Sequence, residues 1–524
     1  MGPMSMDNGP PGRNRIAGGA LIVAAALMWA ALATTGCERR RIGVPDGYLQ
    51  VDLESSPLTL DPRYATDALS ERVDHLVFDS LVRIDEHGRF VGNLAESFER
   101  PAPTKIVFHL RGGLRFSDGR ALTARDVKYS YDSVLDPAAT SPKLGGLGPI
   151  AAIEAPDDRT IVITTHRPYA PALELAMMGV VPYGTPARGG TPVGSGPFRI
   201  ESFVRDDAVV LGRNPQRPSG PGAPRGIVFK VVPDPTVRAL ELAEGVCDLS
   251  ENNIQPDLLG YLAMRPNLRI VESPGTTYHY LEFNFRNPKL RDLRVRTAIA
   301  LGIDRRAIIK ALMRDTARPA TGMIAPENWA YSGDAPRYEY DPVEASKLLD
   351  EAGWPRDESG MRDISLMYKT TPEGKRLAEA ISAMLLRMGI NVMVRTNEFA
   401  TFYGDIERGD FDLAALDWVG INDPHHYYMV FDSAMTPPRG YNRGDYSNPK
   451  MDELLEAGDA TIDQEQRREI YAQVQKLAAT DLPYVSMWWQ DNVVVMNRNI
   501  RGFKPFPNGS LRSLENVTVE AQTK

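Results

Sequence analysis

A chain of 524 residues is longer than a single core requires, so two or three domains are expected. Its 43% hydrophobic and 24% charged content fits a folded globular protein and excludes global disorder. A formal charge of -8 with scattered basic residues excludes a broad nucleic-acid surface, which needs clustered Lys and Arg.

Arg13 and Arg15 precede the uncharged run "IAGGALIVAAALMWAALATTGC", Ile16 to Cys37. A basic start, an apolar middle and a small-residue exit make a secretory signal. The run is also about as long as one membrane-spanning helix, so an ordinary anchor is the competing reading. The cysteine decides for the signal. "ATTGC", Ala33 to Cys37, resembles the lipobox of bacterial lipoproteins, whose cysteine is lipidated and becomes the first residue, although Thr34 stands where leucine is usual. The expected signal peptide is therefore residues 1–36, with Cys37 as the lipidation site. Both readings place the remainder outside the cytoplasm, held to a membrane, and no later uncharged run is long enough to span a bilayer.

From Tyr48 onward short strands such as "YLQVDLE" alternate with helical stretches. "TKIVFHLRGGLRFSDGR", Thr104 to Arg120, predicts two strands around a Gly112-Gly113 turn, and "LTARDVKYSYDSV" predicts a helix behind Thr123 as N-cap. "NPQRPSGPGAPRG", Asn214 to Gly226, can form neither a long helix nor a central strand and predicts a loop. Cys247 sits among apolar residues and is expected to be a small core residue, since no histidine lies near it in sequence. "ISLMYKT" and "INVMVRT" are strand-like. Between them "EGKRLAEAISAMLLRMG" puts Leu377, Ile381, Met384, Leu385 and Met388 on one helical face ending at Gly389. That is a βαβ unit, so the region is α/β.

Catalytic motifs are missing. The chain has no G-x-x-x-x-G-K-[ST], no H-E-x-x-H and no G-x-S-x-G, and Gly220 and Gly222 lie in a proline-rich loop rather than at a strand-to-helix turn. Its two cysteines, Cys37 and Cys247, form no CxxC or Cys/His cluster of zinc spacing. Of seven histidines only His425 and His426 are adjacent, and neighbouring side chains in an extended chain point apart, so no metal site is expected. Asp157-Asp158 reads as a solvated turn rather than a catalytic pair. Neither catalytic residues nor cofactors are expected.

Six segments, in order along nearly the whole exported part, resemble one family. They are "LDPRYATDALSERVDHLVFDSLVRIDEHGRFVGNLAESFE", "FHLRGGLRFSDGRALTARDVKYSYDSV", "GSGPFRI", "LEFNFRNPKLRDLRVRTAIALGIDRRAII", "GDFDLAALDWVGINDP" and "YSNPKMDELLEAG". The family is the extracellular solute-binding proteins of peptide, nickel and related ABC importers. The resemblance implies a two-lobed periplasmic-binding-protein-like α/β fold with an additional inserted domain. Lobe 1 is expected at 44–65, 190–277 and 490–524, the inserted domain at 66–189 and lobe 2 at 278–489. It further implies a monomer that captures a peptide or similar small solute between the lobes and delivers it to a membrane permease with its ATPases. A metal chelate or other non-peptide solute is the alternative ligand, and an exported hydrolase is the alternative of another class.

By the same resemblance the cleft-lining residues are expected to be Trp418, Tyr64, Ala65 and Thr66. Asp423 and His425, polar residues of the same stretch as Trp418, are expected as further ligand contacts. Peptide-binding relatives carry an aspartate three residues after the tryptophan, where it pairs with the ligand's amino group. Here that position is Ile421, and Asp423 corresponds to the acidic-Pro turn. Arg296, Asp304 and Arg305 match positions that hold the second lobe together.

Overall fold

The computed structural model describes residues 44–186 and 192–520. Two long strands organise it. Leu268–Phe283 and Tyr484–Asn497 run antiparallel along most of their length, with a break in the ladder between Ser273 and Thr277. On one side of the break Tyr484–Asn497 pairs with Leu249–Glu251, and the sheet continues through Tyr48–Leu53, Gly226–Val231, Ala208–Arg213 and Phe198–Val204. On the other side Leu268–Phe283 pairs with Leu413–Trp418, followed by Ser365–Thr370 and Asn391–Thr396. One eleven-stranded sheet therefore passes through two lobes joined by the two crossing strands. The α/β, two-lobed architecture expected from the sequence is present.

Each lobe has its own core. Leu49, Val51, Phe198, Leu211, Phe229 and Val494 fill the first, together with Leu69, Val73 and Leu76 of the helix Ala68–Val77. In the second, alternate residues of the sheet point to opposite faces and build two clusters. Leu281, Phe283, Leu366 and Leu413 pack against Ile381 and Leu385. On the opposite face Tyr278, Tyr280, Tyr427, Tyr446, Tyr471 and Trp489 form an aromatic core. A separate four-stranded antiparallel sheet, Ala95–Ala102, Lys105–Leu110, Thr160–Thr165 and Ile150–Asp157 in spatial order, packs with the helix Ala124–Leu135 around Phe108, Tyr131, Ile161 and Ile163.

The βαβ unit forms as predicted: Ser365–Thr370 and Asn391–Thr396 pair in parallel across the helix Lys375–Arg387, which buries Leu377, Ile381 and Leu385. Gly389 adopts φ +85°, the left-handed turn that ends the helix and favours glycine. Thr123 caps its helix, with its backbone N–H donating to Asp126 Oδ2 at 2.8 Å. Cys247 is fully buried in an apolar cluster. The hairpin expected around Gly112-Gly113 does not form. Lys105–Leu110 already has Ala95–Ala102 on one edge and Thr160–Thr165 on the other, so residues after the turn find no free edge and make only the isolated bridge Arg115 to Ala121. Among the described residues no helix is long and apolar enough to cross a membrane. Cys37 and the expected signal peptide lie outside them.

Candidate functional site

Trp418 ends a strand that begins in the core. Leu413 and Ala414 are fully buried, whereas Trp418 is half-buried where the strand leaves the sheet. The chain then turns through Gly420, at φ +68°, into the short helix His426–Phe431. A β-carbon on Gly420 would lie 3.5 Å from Asn508 Cβ, so the turn faces the loop of the first lobe that contains Asn508. Pro507 of that loop accepts a bond from the Thr276 N–H, at the break in the crossing strands, at 2.9 Å. The Trp418 turn thus sits at the junction of the lobes.

Asp423 and His425 fix the turn to its surroundings. Arg467 donates to both oxygens of Asp423, at 2.6 and 2.7 Å, and the His425 N–H donates to Oδ1 at 2.8 Å. His425 Nδ1 lies 2.8 Å from Asp459, and its Nε2 lies 3.2 Å from the Tyr169 hydroxyl. Beside this contact the Ala170 N–H donates to the Asp459 carbonyl at 2.7 Å. Residues 169–170, which follow the four-stranded sheet, are thereby joined to the second lobe. Burial, the largest single influence, would lower the His425 pKa, but the bond to Asp459 together with the negative charges of Asp459, Glu174 and Asp423 outweighs it and the net direction is upward. Glu174, in the same cluster, is pushed up to about 8 by burial, with Asp423 adding to the shift and His425 and Arg467 opposing it.

Behind Trp418 lies an aromatic and charged group. Tyr280 stacks on Tyr484 at 4.1 Å and on Trp418 at 5.9 Å between centroids. The ring of His426 meets Trp418 edge-on at 4.5 Å, and burial, more than the nearby His425 and Arg443, lowers its pKa to about 3. The two adjacent histidines therefore serve different neighbourhoods. Among the described residues no group of three or more His, Cys, Asp or Glu side chains is placed to hold a metal. Arg443 lies against Trp418 and Tyr441, each 5.2 Å from guanidinium carbon to ring centroid, and against Tyr403 at 5.0 Å.

The other sequence-predicted residues lie elsewhere. Ala65 is fully buried and Thr66 exposed, and the Tyr64 and Ala65 N–H groups donate to the Asp61 carbonyl at 2.9 and 3.1 Å. The Tyr64 hydroxyl is buried without a partner among the described residues. Among the described residues no hydrogen bond or ring contact joins Tyr64–Thr66 to Trp418, Asp423 or His425. Ile421 is 6% exposed and packs into the aromatic core of the second lobe. Asp417, next to Trp418 on the opposite face of the strand, is paired with His279.

Arg296 and Arg305 do hold the second lobe together. Arg296 donates to the carbonyls of Leu290, Arg291, Asp481 and Leu482, and Arg305 to those of Ala320, Ser486 and Tyr338. A cavity of about 140 Å³ lies near Arg305, between Met323, Tyr427, Gln475 and Ser486, away from Trp418. Sequence reasoning passed over Arg443, Tyr403, Tyr441 and Phe399. Their signal was compositional, aromatic residues spaced along "FATFY" and "GYNRGDY" beside a single arginine.

The profile described as "Bacterial extracellular solute-binding proteins, family 5 Middle" matches residues 89–436. The Pseudomonas aeruginosa protein named "Probable di/tripeptide-binding protein 5" is 28% identical over 506 residues, covering 88% of this chain and 94% of that protein. The Helicobacter pylori periplasmic binding protein DppA, solved in complex with the peptide STSA, superposes with a TM-score of 0.78 at 25% identity, over 90% of this chain and 98% of that one. The Campylobacter jejuni protein NikZ, solved in complex with Ni(L-His), shares the fold with a TM-score of 0.79 at 24% identity, over 91% and 100%.

Proposed function

The chain belongs to the bacterial extracellular solute-binding proteins of family 5, and on that premise we propose that it is the substrate-binding component of an ABC importer. It captures a peptide or similar small solute between its lobes, hands it to a membrane permease and its ATPases, and performs no covalent chemistry. The family match across residues 89–436 carries this reading. The peptide-binding relatives support the ligand class, and the His425–Asp459 pair gives a metal chelate no advantage, because it is satisfied within the protein.

In this reading lobe 1 comprises 44–65, 190–277 and 490–524, the inserted domain 66–189 and lobe 2 278–489. The helix Ala68–Val77 ties the inserted domain to the lobe 1 core. Trp418 supplies a ligand wall, since an indole offers a large apolar face and one donor, and Tyr64–Thr66 form the facing loop where lobe 1 passes into the inserted domain. Asp423 and His425 hold the Trp418 turn in place and act on the ligand through it. Cys37 carries the lipid that tethers the monomer to the cell envelope.

Native mass spectrometry of the protein as purified, followed by calorimetry and small-angle scattering with the solute found, tests the reading. A bound solute should compact the protein and stabilise it by about 2.7 kcal/mol at a hundredfold excess over Kd. A solute that binds without any change in scattering would sink lobe closure. Turnover of ester, peptide or glycoside substrates by the purified chain would replace the receptor reading with a hydrolase.

A further inference from the structure

We propose that Arg443 is the anchor for a carboxylate on the bound solute, whose apolar part lies on a wall formed by Phe399, Tyr403, Trp418 and Tyr441. The proposal rests on the solute-receptor reading and specifies the chemistry of its ligand.

The wall stands where open α/β sheets bind ligands, outside the carboxyl ends of parallel strands. Asn391–Thr396 and Leu413–Trp418 both pair in parallel with Ser365–Thr370. The first leads directly to Phe399 at the start of a helix, and the second ends at Trp418 itself. Phe399 is 63% exposed and Tyr441 37% exposed. Phe399 stacks on Tyr403 at 5.8 Å, and Tyr441 meets Trp418 at 5.2 Å. Large aromatic faces left open to water beside one another mark binding surfaces rather than packing.

Arg443 lies beneath this wall and is only 2% exposed. Its Nη2 donates to the Tyr403 hydroxyl at 2.8 Å, but Nε and Nη1 have no partner among the described residues. Trp418 Nε1 beside it is likewise buried and unpartnered. A buried donor without an acceptor is costly, most of all on a cation, so an arrangement with three such donors points to an acceptor supplied from outside. The guanidinium's own charge repels a second cation from the aromatic cage. One positive charge and few donors match a singly charged carboxylate better than a phosphate.

Glu282 is the internal acid that could instead use up Arg443. It is 1% exposed, its Oε2 has no partner among the described residues, and its carboxyl is pushed up to about 7 by burial despite the attraction of Arg443. Glu282 attracts Arg443 without bonding these donors: among the described residues Arg443 Nε and Nη1 and Glu282 Oε2 all lack partners, so the donors stay open to a ligand.

Matched probes test the assignment: N-acetyl-alanyl-phenylalanine as the free acid and as its C-terminal amide, titrated by calorimetry into wild type, Arg443→Gln, Arg443→Lys and Phe399→Ala. The acid should bind wild type about tenfold to a hundredfold tighter than the amide. The preference should vanish in Arg443→Gln and survive in part in Arg443→Lys, whereas Phe399→Ala should weaken acid and amide alike. The wild-type ratio needs no variant, so it decides even if Arg443→Gln does not fold. Equal binding of acid and amide overturns the anchor while leaving the receptor reading intact. Failure of the acid to bind at millimolar concentration also overturns the anchor. If in addition no solute co-purifies in native mass spectrometry, the receptor reading falls with it.

Discussion

Asp423 and Arg467 form a two-pronged ion pair, Oδ1 to Nη2 at 2.6 Å and Oδ2 to Nη1 at 2.7 Å, with side chains only 6% and 5% exposed. Arg467 spends its remaining Nε on the Gly458 carbonyl at 2.9 Å, so the guanidinium is committed to the fold. Asp423→Asn would leave a buried cation with an uncharged partner. Breaking one side of a buried pair costs about 3–5 kcal/mol. Urea unfolding of the variant should show a loss of that size. A loss under about 1 kcal/mol with strongly weakened ligand binding would instead make Asp423 a ligand contact.

Tyr169 touches His425 of the second lobe, and Glu174 beside it feels the charges of Asp423, His425, Asp459 and Arg467, which gives a pH dependence of definite sign. Glu174 keeps its proton up to about 8 in the folded chain, against an ordinary value of 4.5. Its contribution to stability is complete below about 4.5 and is lost as pH rises towards 8, because only the unfolded chain then releases the proton easily. His425, raised above 6.5, acts in the same direction: the stability it adds is full below 6.5 and is lost as pH rises past its folded value. The facing charges are Asp423, Asp459 and Arg467. Melting temperature should fall from pH 5 to pH 8.5, and Glu174→Gln should flatten the fall, since an amide cannot ionise. Identical slopes for variant and wild type would remove Glu174 from this role.

The repeating apolar positions of Leu377, Ile381 and Leu385 made their helix and the flanking strands readable, because periodicity is local. The Gly112-Gly113 hairpin cannot be judged from its own residues because strand pairing is not local: whether Lys105–Leu110 has a free edge depends on residues near 160. The site divides the same way. Trp418 could be found because it stands in a recognisable turn. That Asp423 is spent on Arg467, 44 positions away, could not be read from either segment alone. Arg443 is illegible in the sequence for the same reason, since its neighbours Tyr403 and Trp418 approach only in the folded chain.

The tether is tested on the sequence alone. Cys37→Ser should release the protein from membranes or stall its processing, because the thiol that accepts the lipid is gone. Fractionation and gel migration identical to wild type would leave Cys37 without that role.

Peptide-binding relatives are expected to meet a ligand ammonium with an aspartate three residues after the tryptophan, and this chain has Ile421 there, 6% exposed and packed in an aromatic core. Neither neighbouring acid is free to replace it. Both Asp423 oxygens are held by Arg467, and Asp417 is paired with His279 on the other face of its strand. An ammonium entering a dry cleft without a carboxylate forfeits roughly 2–5 kcal/mol. At about 1.4 kcal/mol per decade, that is a tenfold to several-thousandfold loss of affinity. Acetylating the amino end removes the charge that must be desolvated, so it should cost little or improve binding. Calorimetry with matched free and N-acetylated di- to pentapeptides measures the difference directly. Tight binding of the free forms, abolished both by acetylation and by an Asp417→Asn substitution that leaves the fold intact, would show that Asp417 gives up His279 to serve as the anchor.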